Sequence, residues 1–261
     1  VNDHEKLKEI VKDQFSRNAE KYVSSETHAK GSDLAVLIEW LNPKPHWTVL
    51  DVATGGGHVT KHISPHVAHV ISTDLTSEML TAARNHIIEN NQNVSFVVAD
   101  AENLPFLIDS FDAVTCRIAA HHFPDPEKFV NESERVLKQD GFLLLIDNVV
   151  PADDHLDEFI NKLEKLRDES HVRCYSITEW TEWGKKAGLE IVKSTLRKKT
   201  FEFPTWVRRT TKSEEQVKQV ERHILEASKE MQEYCGLTMK DGEINSIHID
   251  EWMVLFKKAK S

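Results

Sequence analysis

The amino-acid sequence predicts an α/β fold, a mainly parallel sheet with helices on both faces. Three observations predict it. The apolar run Val49-Leu50-Asp51-Val52 breaks at once into a glycine-rich turn, Ala53-Thr54-Gly55-Gly56-Gly57, followed by residues that can open a helix. Strand-like and helix-like segments then alternate as far as Ile146. Such alternation folds into parallel strands covered by their connecting helices. The chain has 261 residues, enough for one large α/β domain with insertions.

The elements follow in order. Residues 5–15 place Leu7, Ile10, Val11 and Phe15 on one face of a helix. From Phe15 to Lys30 the chain is polar and less regular. Ser32–Leu41 is a second helix, stopped by Asn42-Pro43-Lys44-Pro45. Thr48–Val52 is the first strand, and Val67–Asp74, entered through Pro65, the second. Ser77 caps a helix with Met79, Leu80, Ala83 and Ile87 on one face. Val94–Val98 and Asp112–Arg117 are the third and fourth strands. Asp125-Pro126 joins an N-cap to a proline at the first helical position and opens a helix to Val136. A turn at Gln139-Asp140-Gly141 leads to the fifth strand, Phe142–Ile146. Beyond Pro151 the pattern changes. Leu156, Phe159, Ile160, Leu163 and Leu166 stripe an amphipathic helix, and Ser176 or Thr178 caps another that stops at Gly188. Leu189–Phe203 is strand-like. Val217, Val220, Ile224, Met231 and Tyr234 stripe one long helix, and Ser246–Lys257 alternates as a final strand.

Basic residues number 33 against 43 acidic, a net charge of −10 that counts against nucleic acid as the default partner. Cations do gather late, at Lys193, Arg197, Lys198, Lys199, Arg208, Arg209 and Lys212. A solvated strand edge and loop is the plainer account of them; an RNA- or anion-binding rim is the other. Cys116, Cys174 and Cys235 are far apart and form no CxxC pair, so neither a disulfide framework nor a zinc ribbon is indicated. No stretch reads as a signal peptide or a membrane span, and a cytoplasmic protein is the expectation.

A strand, a glycine loop and a helix at the head of an α/β domain make a nucleotide cradle. Asp74 ends the next strand, where a carboxylate can take ribose hydroxyls. The spacing says which nucleotide. A dinucleotide fingerprint needs a third glycine where Thr60 stands. The acid Asp51 beside the loop disfavours a pyrophosphate and favours a cation. S-adenosylmethionine, a nucleoside with a sulfonium and no phosphate, is such a ligand.

The stretch resembles motif I of the class I S-adenosylmethionine-dependent methyltransferases: a hydrophobic pair, Asp, a hydrophobic residue, then Gly-x-Gly-x-Gly. Ala53 stands in place of the first glycine. Thr73–Leu80 resembles the family's acidic loop and following helix. Ala99–Phe106 with Ser110–Val114 resembles the motif around its fourth strand, and Gln139–Asp147 its turn and fifth strand. The chain is most similar to the small-molecule subgroup (type 11) that includes the ubiquinone/menaquinone C-methyltransferases, from about Phe15 to Val150. The resemblance implies a Rossmann-like, doubly wound, mainly parallel seven-stranded sheet with its last strand antiparallel, plus helical cap insertions. It implies a single domain over 1–261: an N-terminal helical lid to about 45, a cofactor core over 46–150, and substrate-cap insertions with closing strands over 151–261.

The cofactor implied is S-adenosylmethionine. By the resemblance, Asp51, Thr54, Gly55 and Gly57 serve its methionine and ribose portion, and Asp74 takes the ribose hydroxyls. Leu75 packs on adenine, and Asp100 accepts from its amino group with Ala101 alongside. Arg117 and Ile118 close the sulfonium side, and Tyr22 is a candidate lid residue.

His121 and His122 follow strand four, and His122 is the candidate general base. His171, Arg173 and Trp206 are candidate substrate residues. The aromatics Tyr175, Phe201, Phe203 and Trp206 predict a largely apolar cavity for a small aromatic or isoprenoid acceptor. The competing readings are an RNA or protein methyltransferase, a catalytically silent cofactor-binding regulator, and a nicotinamide-dependent oxidoreductase, which Thr60 and Asp51 oppose. No metal is expected. His58 and His62 have i, i+4 spacing without an acidic or cysteine partner. Asp147-Asn148 resembles the magnesium ligands of catechol-type O-methyltransferases, but Arg117 stands where those enzymes carry an aspartate.

Overall fold

The computed structural model describes residues 3–23, 31–87 and 92–259, without the side chains of 20–23 and 32. The strands are β1 (Thr48–Val52), β2 (His69–Asp74), β3 (Val94–Val98), β4 (Phe111–Arg117), β5 (Leu137–Val150), β6 (Tyr175–Ser176), β7 (Leu189–Glu202), β8 (Thr238–Lys240) and β9 (Glu243–Lys258). The helices are α1 (Asp3–Val23), α2 (Ser32–Leu41), α3 (His58–Ile63), α4 (Ser77–Ile87), α5 (Pro126–Val136), α6 (Asp154–Arg167), α7 (Ile177–Lys186), α8 (Phe203–Val207), α9 (Glu214–Leu225) and α10 (Lys229–Tyr234).

The main sheet runs β3-β2-β1-β4-β5-β9-β7. Strands β1 to β5 pair in parallel, and β9 inserts antiparallel between β5 and β7. The seven-stranded, doubly wound architecture expected from the sequence is therefore present. Two short strands, β6 on β5 and β8 on β9, extend it to nine.

Strand side chains alternate between the two faces. Val49, Ala113, Leu144 and Met253 meet Leu34, Leu37 and Ile63 of α2 and α3. Their neighbours Leu50, Val114, Leu145 and Val254 meet Phe129 and Val130 of α5 and Trp180 of α7. A third cluster joins α6, α8 and α9 to β9, through Phe159, Leu163, Phe203, Trp206, Val220 and Ile247. Phe203 and Trp206, which the sequence left without a core duty, are buried there. Tyr175 packs edge-on against Trp180 and Trp183 instead.

Several elements differ from expectation. Helix α1 continues through the polar stretch to Val23, because Phe15 and Ala19 pack on Met79 and Ala82 of α4. Tertiary packing supplies the helical stability that local sequence lacks. Ser77 is the first helical residue of α4 rather than its cap; Asp74 Oδ1 accepts from the Thr76 amide just ahead of it, at 3.1 Å. The turn at Asp140-Gly141 is absorbed into β5, with Asp140 at φ 62°. The single long helix is two, because Ser228 accepts from the Met231 amide and starts α10 afresh. Asp241 (φ 52°) and Gly242 (φ 85°) form a tight turn between β8 and β9, where a two-residue hairpin needs two left-handed residues. All three cysteines are free and buried. Among the described residues no helix is long and apolar enough to cross a membrane.

Candidate active site

The carboxyl ends of β1, β2 and β4 and the inner face of α1 enclose a pocket. Thr54, Gly55, Asp51, Asp74, Leu75, Asp100, Ala101, Arg117, Ile118 and His122 all line it, so most residues singled out from sequence come together. Gly57 does not line it. Its φ is +80°, and a Cβ there would stand 2.4 Å from Ile87 Cδ1, so this glycine serves the packing of α3 against α4. The side chain of Tyr22 lies outside the described residues.

The loop is organised by the acid before it. Asp51 is buried, and its carboxylate accepts from the hydroxyls of Thr54 (2.5 Å), Thr60 (2.7 Å) and Thr115 (2.8 Å). Burial pushes its carboxyl above the usual range, and the three hydroxyls pull it back. Asp51 thus fixes the turn from within, and Thr60 is the bolt that a third glycine could not be. Ala53, in the place of the family's first glycine, sits at φ 52°. A left-handed residue with a Cβ costs about 1–2 kcal/mol, which is why glycine is the easier choice there. Ile118, β-branched, is held at φ 53° beside the same pocket, a strained backbone of the kind that gathers at functional sites.

Asp74 is tied in from three sides. Its carboxylate accepts from the Gly55 amide (3.1 Å), the Thr76 amide (3.1 Å) and the Thr76 hydroxyl (3.0 Å). Burial raises its pKa and these donors oppose the rise. In a phosphate-binding loop the amides stay open for the anion. Here Gly55 N–H is taken by Asp74, Thr54 N–H by the Thr73 carbonyl (2.8 Å) and Gly57 N–H by the Thr54 carbonyl (2.9 Å). The two lining cations are also engaged. Arg117 pairs with buried Asp33, whose carboxyl is held below its usual range, the guanidinium outweighing the opposing cost of burial. Lys8 of α1 bonds Asp100 (2.7 Å) and Glu102 (2.6 Å). The donor set fits ribose hydroxyls, an adenine edge and a cationic sulfonium, and does not fit a pyrophosphate.

Sequence reasoning missed Lys8, Phe123 and Met79 as lining residues. The stripe on α1 was the available signal for Val11 and Phe15, which do line the pocket.

A second cavity adjoins the first. Phe15, Ile118 and His122 line both. The second is also lined by Arg167, Asp168, Lys199, Trp206, Arg209 and Asn148. Its polar wall contradicts the largely apolar cavity expected. His122 is buried; its Nδ1 donates to the Ser170 carbonyl (3.0 Å), which leaves Nε2 with the lone pair. Burial, with charged His121 4.2 Å away ring to ring, pushes His122 down to about 4. Burial opposes charge on His121 too, but Asp147 at 2.5 Å from its Nδ1 raises its pKa overall.

Other expected residues lie elsewhere. Arg173 lines neither cavity and bridges Asp157 (2.6 Å) and Glu179 (2.7 Å), tying α6 to α7. His171 is 1% exposed and donates to Asn161 Oδ1 (3.0 Å), a packed position behind His121. Trp206 does line the second cavity, beneath the Arg167 guanidinium at 4.3 Å. His62 Nδ1 bonds the His58 carbonyl (2.8 Å), so this pair does not face a shared ligand. Asp147 accepts from the His121 amide (3.0 Å) and ring and from the Asn148 amide (2.7 Å), which leaves it poorly placed for magnesium. Among the described residues no three His, Cys, Asp or Glu side chains gather as metal ligands.

The methyltransferase-domain family matches residues 50–145, the strands and loops that build the first pocket. An uncharacterised methyltransferase of Bacillus subtilis (strain 168), YcgJ, is 40% identical over 229 residues, 86% of this chain and 89% of that one. The chain belongs to the methyltransferases. A crystal structure of a candidate methyltransferase from Bacillus halodurans C-125 superposes with a TM-score of 0.85 at 39% identity, covering 88% of this methyltransferase and 100% of that chain. The ubiquinone/menaquinone C-methyltransferase of Brucella suis is 35% identical over 160 residues, 56% of this chain and 58% of its own.

Proposed function

We infer that this methyltransferase modifies a small organic acceptor seated in the second cavity, with His122 as proton acceptor. One observation carries the reading: His122 lines both the nucleoside pocket and the adjoining cavity. Asp74 is assigned to the ribose hydroxyls, Leu75 and Ala101 to the adenine faces, and Asp100 to its amino group. Asp51 and Thr54 act by shaping the loop, and Gly55 by close backbone approach. When bound, S-adenosylmethionine supplies an electrophilic methyl group that leaves a good leaving group. The protein's share is positioning and exclusion of water. Arg117, neutralised by Asp33, borders the sulfonium side without opposing it. His122 stays neutral through the physiological range, so its Nε2 can take the acceptor's proton. The division into a lid to about 45, a core over 46–150 and a cap over 151–261 belongs to the same reading.

The test is formation of S-adenosylhomocysteine from a fractionated metabolite pool, then kinetics of His122→Gln on the acceptor found. The expected loss in kcat is roughly 10²–10⁴-fold, with S-adenosylhomocysteine affinity little changed. Because His122 titrates only near 4, wild-type kcat/KM should show no limb from His122 itself between about pH 5 and pH 8. An unaltered kcat in the variant would remove His122 from the chemistry.

A further inference from the structure

Two adjacent histidines are held in different ways. His121 and His122 end the short helical turn after β4, and their rings lie 4.2 Å apart. His121 Nδ1 bonds a carboxylate directly, Asp147 at 2.5 Å. His122 Nδ1 donates to a neutral acceptor, the Ser170 carbonyl, at 3.0 Å. An anion against the ring favours the imidazolium; a carbonyl orients the ring without supplying a counter-charge.

That carbonyl is itself fixed from behind. Asp168 ends α6, its amide donating to the Glu164 carbonyl at 2.8 Å. Its Oδ1 accepts from the Ser170 amide (2.9 Å), which closes a turn, and also from the Ser170 hydroxyl (2.5 Å). The second bond does more than close a turn. A serine hydroxyl has a single hydrogen. With that hydrogen on Asp168, Ser170 Oγ can only accept from His122 Nδ1, 3.3 Å away. Both Ser170 oxygens therefore require a hydrogen on Nδ1, which leaves the lone pair on Nε2. Asp168 and Ser170 are buried, so water has little access to these bonds.

The same segment is tied to the histidines a second time. The Val172 and Arg173 amides donate to the His121 carbonyl, at 3.0 and 3.1 Å. Phe15 of α1 packs edge-on against the His122 ring at 5.0 Å. Among the described residues Nε2 takes no hydrogen bond and is not a sealed-off polar atom, so it faces the cavities that His122 lines.

We propose that Asp168 and Ser170 are positioning residues for proton transfer: through the turn between α6 and β6 they fix the tautomer of His122 and aim its Nε2 lone pair at the acceptor. The acceptor's bond to hydrogen breaks, its electron pair stays on the acceptor atom, and the proton joins Nε2. The Nδ1 hydrogen stays on the Ser170 oxygens. Asp168 stands one serine away, so the ring is oriented with no carboxylate bonded to it. The proposal rests on the reading of His122 as proton acceptor and names the residues that prepare it.

The tautomer can be read without an acceptor. Heteronuclear spectra of the full chain, isotope-labelled at its histidine ring nitrogens, tell a protonated nitrogen from one with a free pair, and His122→Gln assigns the signals. Wild type at neutral pH should carry hydrogen on Nδ1 of His122 alone. Asp168→Ala should mix the two tautomers. Asp168→Asn, whose side-chain oxygen still accepts from the Ser170 amide and hydroxyl, should keep the wild-type pattern. Ser170→Ala, which keeps the turn, should also admit the other tautomer, and it decides the matter if Asp168→Ala does not fold. With an acceptor in hand, kcat should fall roughly tenfold or more in Asp168→Ala with KM little changed, and recover in Asp168→Asn. Hydrogen on Nε2 in the wild type, a tautomer unmoved by the alanine variants, or one lost in Asp168→Asn overturns the proposal. A fixed tautomer in a chain whose His122→Gln variant keeps full kcat would sink the base reading and leave the hold on the ring standing.

Discussion

Asp74 and Asp51 are both acids beside the glycine loop, yet they do different work. Asp51 also lines the pocket, but its carboxylate is held by three hydroxyls inside the protein. Asp74 lines the pocket and also holds the Gly55 and Thr76 amides. Asp74→Ala should therefore have two effects. Cofactor affinity should fall by roughly 1.5–3 kcal/mol, the scale of hydrogen bonds to a charged group. Unfolding stability should fall by about 1–2 kcal/mol, because two amides and a hydroxyl lose their acceptor. Titration with S-adenosylhomocysteine and urea denaturation read the two separately; intact stability would mean that the loop does not depend on this carboxylate. Asp74 was legible in the sequence because strand, loop and acid lie close together in the chain. The engagement of Arg173 by Asp157 and Glu179 was not, since a polar loop residue reads the same whether it faces substrate or an ion pair.

Among the elements, α1 changes most between sequence and structure. Its first half was legible from apolar spacing, although Ile10 on that stripe remains exposed. Its continuation to Val23 depends on α4, which no local pattern announces. Lys8 fixes the helix across the pocket by bonding Asp100 and Glu102, more than ninety residues away in the chain. Burial opposes charge on this lysine, yet the two carboxylates raise its pKa, so the link persists through neutral pH. Lys8→Met keeps the stem and removes the charge. Amides of α1 should then exchange hydrogen faster while those of β1, β4 and β5 stay protected. Unchanged exchange in α1 would show that Phe15 and Ala19 suffice to hold it.

At the scale of the whole molecule, the segment from 46 to 150 was readable almost element by element. Its helices and strands alternate at short range, and its central strands β1, β4 and β5 carry buried residues on both faces. The segment from 151 onward was readable as elements but not as a site. Arg167, Lys199 and Arg209 reach one cavity only because α6, β7 and the chain beyond α8 fold over β9. The sequence stripes therefore pointed to an apolar roof, and the cations between them read as a solvated edge. The central claim concerns the first pocket, where the Thr54, Gly55 and Gly57 amides and the cations Lys8 and Arg117 are engaged internally, which disfavours a pyrophosphate. Calorimetric titration of the full chain with S-adenosylhomocysteine and with NAD tests it most directly. Micromolar binding of S-adenosylhomocysteine and no detectable binding of NAD is the expected result; NAD binding more tightly than S-adenosylhomocysteine would contradict it.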